Sequence, residues 1–182
     1  MQAEKINPVD AAAVAVAQGA GQDESIAITG AYTVECYDAA GNLKWSDQIK
    51  NLVVTVGKND LLDKYFAGSA YTAAWYLGLI NSGGTYAAAD TMSSHAGWTE
   101  NTGYSAATRP APAWSAAASG SKSTTATAFS INASGTIGGA FLTSNSTKSG
   151  TTGILYSAGN FTGGNRTVAS GDTLNVTYTA SV

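Results

Sequence analysis

The sequence is poor in the residues that carry most protein chemistry. Its 182 residues include one cysteine, one histidine and three prolines. With Cys36 alone no intrachain disulfide can form, which excludes a disulfide-stapled scaffold. The side chain is read instead as a small buried hydrophobe. One histidine and one cysteine cannot build a zinc site of the usual N/S type without several carboxylates. Charge is scarce too, at 12% of residues, about half the share of an ordinary soluble domain. The nine basic residues are scattered and outnumbered by twelve acids, giving a net charge of −3. No basic stripe is available to neutralise phosphates, so a nucleic-acid partner is not expected. No apolar run approaches the ~20 residues needed to cross a bilayer, so no membrane partner is expected either. The stretch Val9 to Ala17 has the outline of a signal-peptide core, but Asp10 interrupts it and Glu4 offsets Lys5. We expect no cleaved signal there.

The chemistry of catalysis is equally thin. His95 has Ser93 and Ser94 beside it in sequence, but no nucleophile-elbow glycine pattern accompanies any serine, and we read it as a structural loop histidine. Asp60 and Asp63 stand one helical turn apart without an EF-hand pattern. A glycosidase needs two carboxylates across a cleft, and nothing in the order of the twelve acids marks any two of them. No phosphate-cradling glycine motif occurs. The Asn-x-Ser/Thr matches at Asn132, Asn145, Asn160, Asn165 and Asn175 are what chance supplies in a chain so rich in Ser and Thr. No enzyme activity, cofactor or metal is expected.

What the chain has is small residues and aromatics. Ala, Gly, Ser and Thr make up roughly half of it. Leu, Ile, Val and Phe are sparse, but four Trp and nine Tyr supply large apolar bodies. Together these imply a folded chain with a modest core, thin strands and many turns. A surface with so little charge suits burial against partners better than a solitary life in solution.

Residues 1–25 differ from the rest. Pro8, the small-residue run Ala11 to Ala17 and the polar stretch Gly19 to Ser25 read as an arm, with a short helix over Val9 to Gln18. From Ile26 the texture is that of strands. Tyr32, Val34 and Cys36 alternate with Thr33 and Glu35, and Asp38 to Asn42 is a turn, so Ile28 to Ile49 predicts a hairpin. One helix follows, with Thr55 as its N-cap, Leu61, Leu62, Tyr65 and Phe66 packing onto the sheet, an Asp60–Lys64 pair and Gly68 as its stop. Ala74 to Ile80 predicts a buried strand. Thr85 to Ser121 is irregular and holds Trp98, Tyr104, Arg109 and Trp114, which we read mainly as core fillers. Strands are expected over Thr124 to Asn132, Thr136 to Thr143, Gly153 to Ser157 and Thr173 to Val182, with a turn region over Gly159 to Asn165. About eight strands with close turns predict a single, mainly β domain over residues 26–182, an antiparallel β-sandwich or jelly roll with one short helix.

The stretch YTVECYDAAGNLKWSDQIKNLVVTVGKNDLLDKYFAG, from Tyr32 to Gly68, resembles the opening of small virion proteins of tailed bacteriophages. WYLGLI (Trp75 to Ile80), SSHAGWTE (Ser93 to Glu100) and GDTLNVTYTASV (Gly171 to Val182) extend the resemblance in the same order. It covers most of the chain after about residue 30 and implies a virion structural component, of the kind that decorates or cements capsids. The expectation that follows is a dimer or trimer on the outer surface of the capsid, bound to the major capsid protein. Arm residues Ile6, Pro8, Val9, Val14 and Val16 are the expected contacts. The alternative is a fibre or tail module that binds surface glycan through the loop Thr85 to Ser121, with Trp98 and Trp114 exposed.

Overall fold

A computed structural model describes residues 27–66 and 74–182. The five expected arm contacts, the helix over Val9 to Gln18 and the stop at Gly68 lie outside the described residues.

The described chain is mainly β, antiparallel throughout, with one helix among the described residues. Strand β1 (Thr29–Tyr37) has the predicted alternation, with Tyr32, Val34 and Cys36 fully buried on one face. It turns back through Asp38, whose carboxylate accepts from the amides of Ala40 and Asn42 at 2.9 and 2.8 Å. Gly41 takes the positive φ this turn needs, +85°. Strand β2 (Leu43–Lys50) completes the hairpin. On its other side β1 pairs with the last strand, β12 (Thr173–Ser181), from Thr29↔Ser181 to Tyr37↔Thr173. Leu174, Val176 and Tyr178 face the core as the alternation predicts.

The strand expected over Thr124 to Asn132 is two pieces, β6 (Ser121–Ser123) and β7 (Thr127–Ser130), both paired with β12. Between them Thr124 Oγ1 accepts from the Tyr178 amide at 3.0 Å, so a side chain stands in for a ladder carbonyl and the strand breaks. These strands form the first sheet, in the order β2-β1-β12-β6, with β7 also on β12.

The second sheet runs β3 (Leu52–Val53), β10 (Leu155–Asn160), β9 (Gly139–Thr143), β4 (Tyr76–Ile80) and β5 (Glu100–Asn101). The single strand expected over Thr136 to Thr143 divides at Gly138. Its first part, β8 (Gly135–Ile137), pairs instead with β11 (Arg166–Val168). A Cβ at Gly138 would collide with the backbone of Asn81 to Gly83, so the corner requires glycine. β10 runs through Gly159, which had the look of a turn. There the sheets approach so closely that a Cβ would meet Ile49 and the backbone of Asn51.

The two sheets stack as a β-sandwich. The Tyr32 hydroxyl of β1 meets Ser157 Oγ of β10 at 2.7 Å, and the Tyr32 and Tyr178 rings lie 4.6 Å apart in the core between the sheets. Every position of β9 is buried, because the second sheet is covered on both faces. Its outer face carries a second core of Val54, Ile80, Phe141, Leu155 and Ala158, roofed by Met92 and Trp98 from the irregular segment after β4.

That segment is held by Arg109, which is 1% exposed. Its Nε and Nη2 donate to the two oxygens of Glu100 at 2.9 and 2.8 Å. Nη1 and Nη2 also donate to the carbonyls of Asn145 and Gly150. Glu100 accepts the Ser149 amide as well, at 2.6 Å. Every charge in the cluster is paired, which is the condition for burying it. Arg109→Met leaves Glu100 buried and alone, and is expected to cost about 3–5 kcal/mol. The double change Arg109→Met with Glu100→Met is expected to recover much of that loss in urea unfolding. A double variant as unstable as the single one would show that the pair is not the source of the effect.

Candidate functional site

The helix α1 (Thr55–Phe66) differs from expectation at both ends. Its first i→i−4 bond runs from Lys58 N to Val54 O, so Val54 holds the cap position and Thr55 is the first helical residue. The predicted Asp60–Lys64 pair is present, at 3.6 Å. The expectation that Leu61, Leu62, Tyr65 and Phe66 pack onto the sheet is corrected. Leu62 is 45% exposed, Tyr65 79% and Phe66 76%, and the helix's one buried residue is Gly57. The reason lies in how the helix docks. Gly57 sits against β10 so tightly that a Cβ there would stand 2.6 Å from Tyr156 O and 2.8 Å from its Cα. Backbone-to-backbone contact at the N-terminal turn leaves the C-terminal turn projecting beyond the sheet.

Under that projecting turn lies a groove of about 430 Å³. One wall is Asp60, Leu61, Lys64 and Tyr65 of α1. The other holds Trp75, Trp114 and Lys122, and the floor is Leu142, Tyr156, Tyr178 and Ala180. The floor residues Leu142, Tyr156 and Tyr178 belong to the main core. The groove is therefore the open end of the sandwich, where the space between the sheets meets solvent. Edge-to-face contacts hold its rings: Trp75 on Tyr156 at 5.4 Å and Trp114 on Tyr178 at 6.2 Å. The indole N–H groups of Trp45 and Trp98 donate to Thr167 O and Asp90 Oδ2. Those of Trp75 and Trp114, both at the groove, have no partner among the described residues.

A smaller cavity of about 230 Å³ lies beside Trp98, Phe141, Glu100 and Arg109. His95 stacks on Trp98 at 3.9 Å and its Nδ1 lies 3.1 Å from Trp98 O, the structural loop role expected of it. Trp98 and Tyr104 are buried, as core fillers should be, while Trp114 is half-buried at the groove. Each cavity is lined by one carboxylate, Asp60 in the groove and Glu100 here.

The other buried acids are tied down individually. Asp47 sits on the core-facing side of β2, a position that periodicity assigns to an apolar residue. Burial pushes its carboxyl up, but hydrogen bonds from Arg166, Thr162 and the amides of Gln48 and Gly163 outweigh that and hold it below its ordinary value. Asp172 is treated alike: burial raises it, while the Ala169 amide and Lys44 bring it below the usual carboxylate range. Its Oδ2 stands 3.7 Å from Cys36 Sγ. Burial first, then that neighbouring charge, push the Cys36 thiol up to about 11, so it stays protonated in its buried site as the sequence implied.

Sequence reasoning missed the groove. Trp75, Tyr156 and Tyr178 were legible as core aromatics, but nothing in their spacing says that one end of the sandwich is open. The only available signal is that aromatic residues stand near the ends of three separate strands. Searched against models of protein families the chain matches none, and no curated protein matches it.

Two outcomes are expected. Gly57→Ala should lift α1 from β10 at a cost of about 1–3 kcal/mol and change the fluorescence of the groove tryptophans. An unaltered spectrum and melting point would show that the contact is slack. Both Asp47 and Asp172 have folded values below their unfolded ones, so their contribution is complete above about pH 4. It is lost as the pH falls towards the depressed values. Acid unfolding of Asp47→Asn should accordingly be shallower over that range than that of the parent; equal slopes would count against it.

Proposed function

We propose that the chain is a virion structural protein of a tailed bacteriophage, a decoration or cement protein on the outer surface of the capsid. Its partners are the major capsid protein and further copies of itself, as a dimer or trimer. The observation that carries the proposal is the apolar end of α1. Tyr65 and Phe66 stack edge to face at 4.9 Å while both stay more than three-quarters exposed, with Leu62 beside them. Large exposed apolar patches on otherwise polar surfaces mark interaction sites, and aromatic residues are enriched at the centres of interfaces. The weakly charged surface and the resemblance from Tyr32 to Val182 support the same reading. A protein that engages only the assembled shell stabilises it by mass action, because binding shifts the equilibrium towards the bound form. A closed symmetric oligomer would match the local symmetry of a capsid.

The alternative, a fibre or tail module that binds surface glycan, rested on exposed Trp98 and Trp114. Trp98 is 4% exposed and roofs the second core, which removes half of that basis.

Shells lacking the protein should rupture at a lower temperature than decorated ones, with unchanged rupture arguing against cementing. At about 1.5 kcal/mol or more per buried ring, Tyr65→Ser with Phe66→Ser should weaken shell binding on the order of a hundred-fold. Undiminished occupancy of shells by this double variant would move the contact surface elsewhere.

A further inference from the structure

The geometry points to an occupant for the groove: the chain's own segment before β1, with Val14 and Val16 seated against Trp75 and Trp114. Three observations converge on it. First, the floor is core. Leu142 and Tyr178 are 2% and 0% exposed and Ala180 adjoins them. Such a floor suits aliphatic side chains and offers little to a ligand rich in hydroxyls, whose polar groups would go unpaired. Second, the chain enters the sandwich at this opening. Gly30 is the cross-strand partner of Ala180, and Ala180 pairs on its other side with Lys122; both Ala180 and Lys122 line the groove. Third, the charges match. Residues 1–26 carry Glu4, Asp10, Asp23 and Glu24 against Lys5, and Asp23 and Glu24 lie just before the point of entry, where Lys122 stands at the groove and Lys64 on its opposite wall.

Reach is no obstacle. The eleven residues from Val16 to Ala27 span up to about 36 Å, while Gly30 and Ala180 stand one strand spacing apart, about 5 Å. In an extended run Val14 and Val16 point to the same side, so both can enter one groove. A tether this short gives an effective concentration in the millimolar range, which favours the chain's own segment over that of a second copy. This assigns Val14 and Val16 to an internal contact rather than to the shell. It is independent of the virion proposal, since it concerns the isolated protein.

The test uses the full chain, labelled with nitrogen-15, and follows the four indole N–H resonances. Trp75→Phe and Trp114→Phe assign the two groove signals. Val14→Asp with Val16→Asp should move the Trp75 and Trp114 signals by more than a line width. The Trp45 and Trp98 signals should stay in place, because their indoles are bonded elsewhere and report an intact fold. The parent's signals should not change on ten-fold dilution. Groove signals indifferent to the double variant would overturn the inference. So would signals that shift on dilution, which would give the groove to a second copy. A shift produced by Tyr71→Ala and not by the valine changes would also overturn it, by giving the groove to the α1–β4 connection.

Discussion

The buried pairing of Arg109 with Glu100 is the interaction on which the second half of the architecture depends. Strands β4, β9 and β10 present apolar side chains on both faces, so they need a cover that the first sheet cannot provide. The cover is a stretch with little regular structure, whose backbone cannot hold itself in place through a ladder. One guanidinium solves this by gripping Glu100 at the sheet edge and two carbonyls of the β9–β10 connection at once. With it fixed, the Pro110 carbonyl receives the Leu77 amide and Trp98 closes over Phe141 at 5.1 Å. The cation also lies 5.1 Å from the centre of that same Phe141 ring. A chain so poor in charge spends one of its nine cations in a fully buried site.

Much of the first sheet was legible in the sequence. The alternations Tyr32-Val34-Cys36 and Leu174-Val176-Tyr178 assign both strands and their inward faces, and they become cross-strand neighbours in register. What was illegible has physical causes. Thr124 breaks a strand because its hydroxyl competes with the backbone, which a β-branched residue in a Thr-rich run does not announce. Thr136 to Thr143 reads as one strand because Gly138 looks like a weak spot in a strand, whereas it is a corner between two sheets. Leu62, Tyr65 and Phe66 have helical spacing, but spacing cannot say how far a helix overhangs its sheet. Arg109 and Asp47 looked like surface charges, because their partners are remote along the chain or lie in loops.

The same limits governed the candidate site. Trp114 was singled out and does line the groove, while Trp98, weighed beside it, is core. The groove itself depends on Gly57, whose missing side chain lets α1 lie flat on Tyr156 at one end and lift off at the other. Composition signalled only that small residues were abundant; where backbones approach closely enough to need them is a property of three dimensions. The low content of Leu, Ile, Val and Phe is offset by tyrosines. Tyr32, Tyr104 and Tyr178 are among the largest fully buried side chains, and where Tyr32 crosses between the sheets it brings a hydroxyl that finds Ser157.

The pairing of Thr29 with Ser181 has a mechanical side. Antiparallel ladder bonds lie perpendicular to the strands. Tension applied between the start of β1 and the end of β12 would pull along those bonds and peel them one after another, as a zip opens. Tension applied through α1 and the opposite end of the sandwich would load many bonds together in shear. The molecule is therefore weak as a link in a chain and strong as a rivet, and whatever strains it should grip its face rather than its ends.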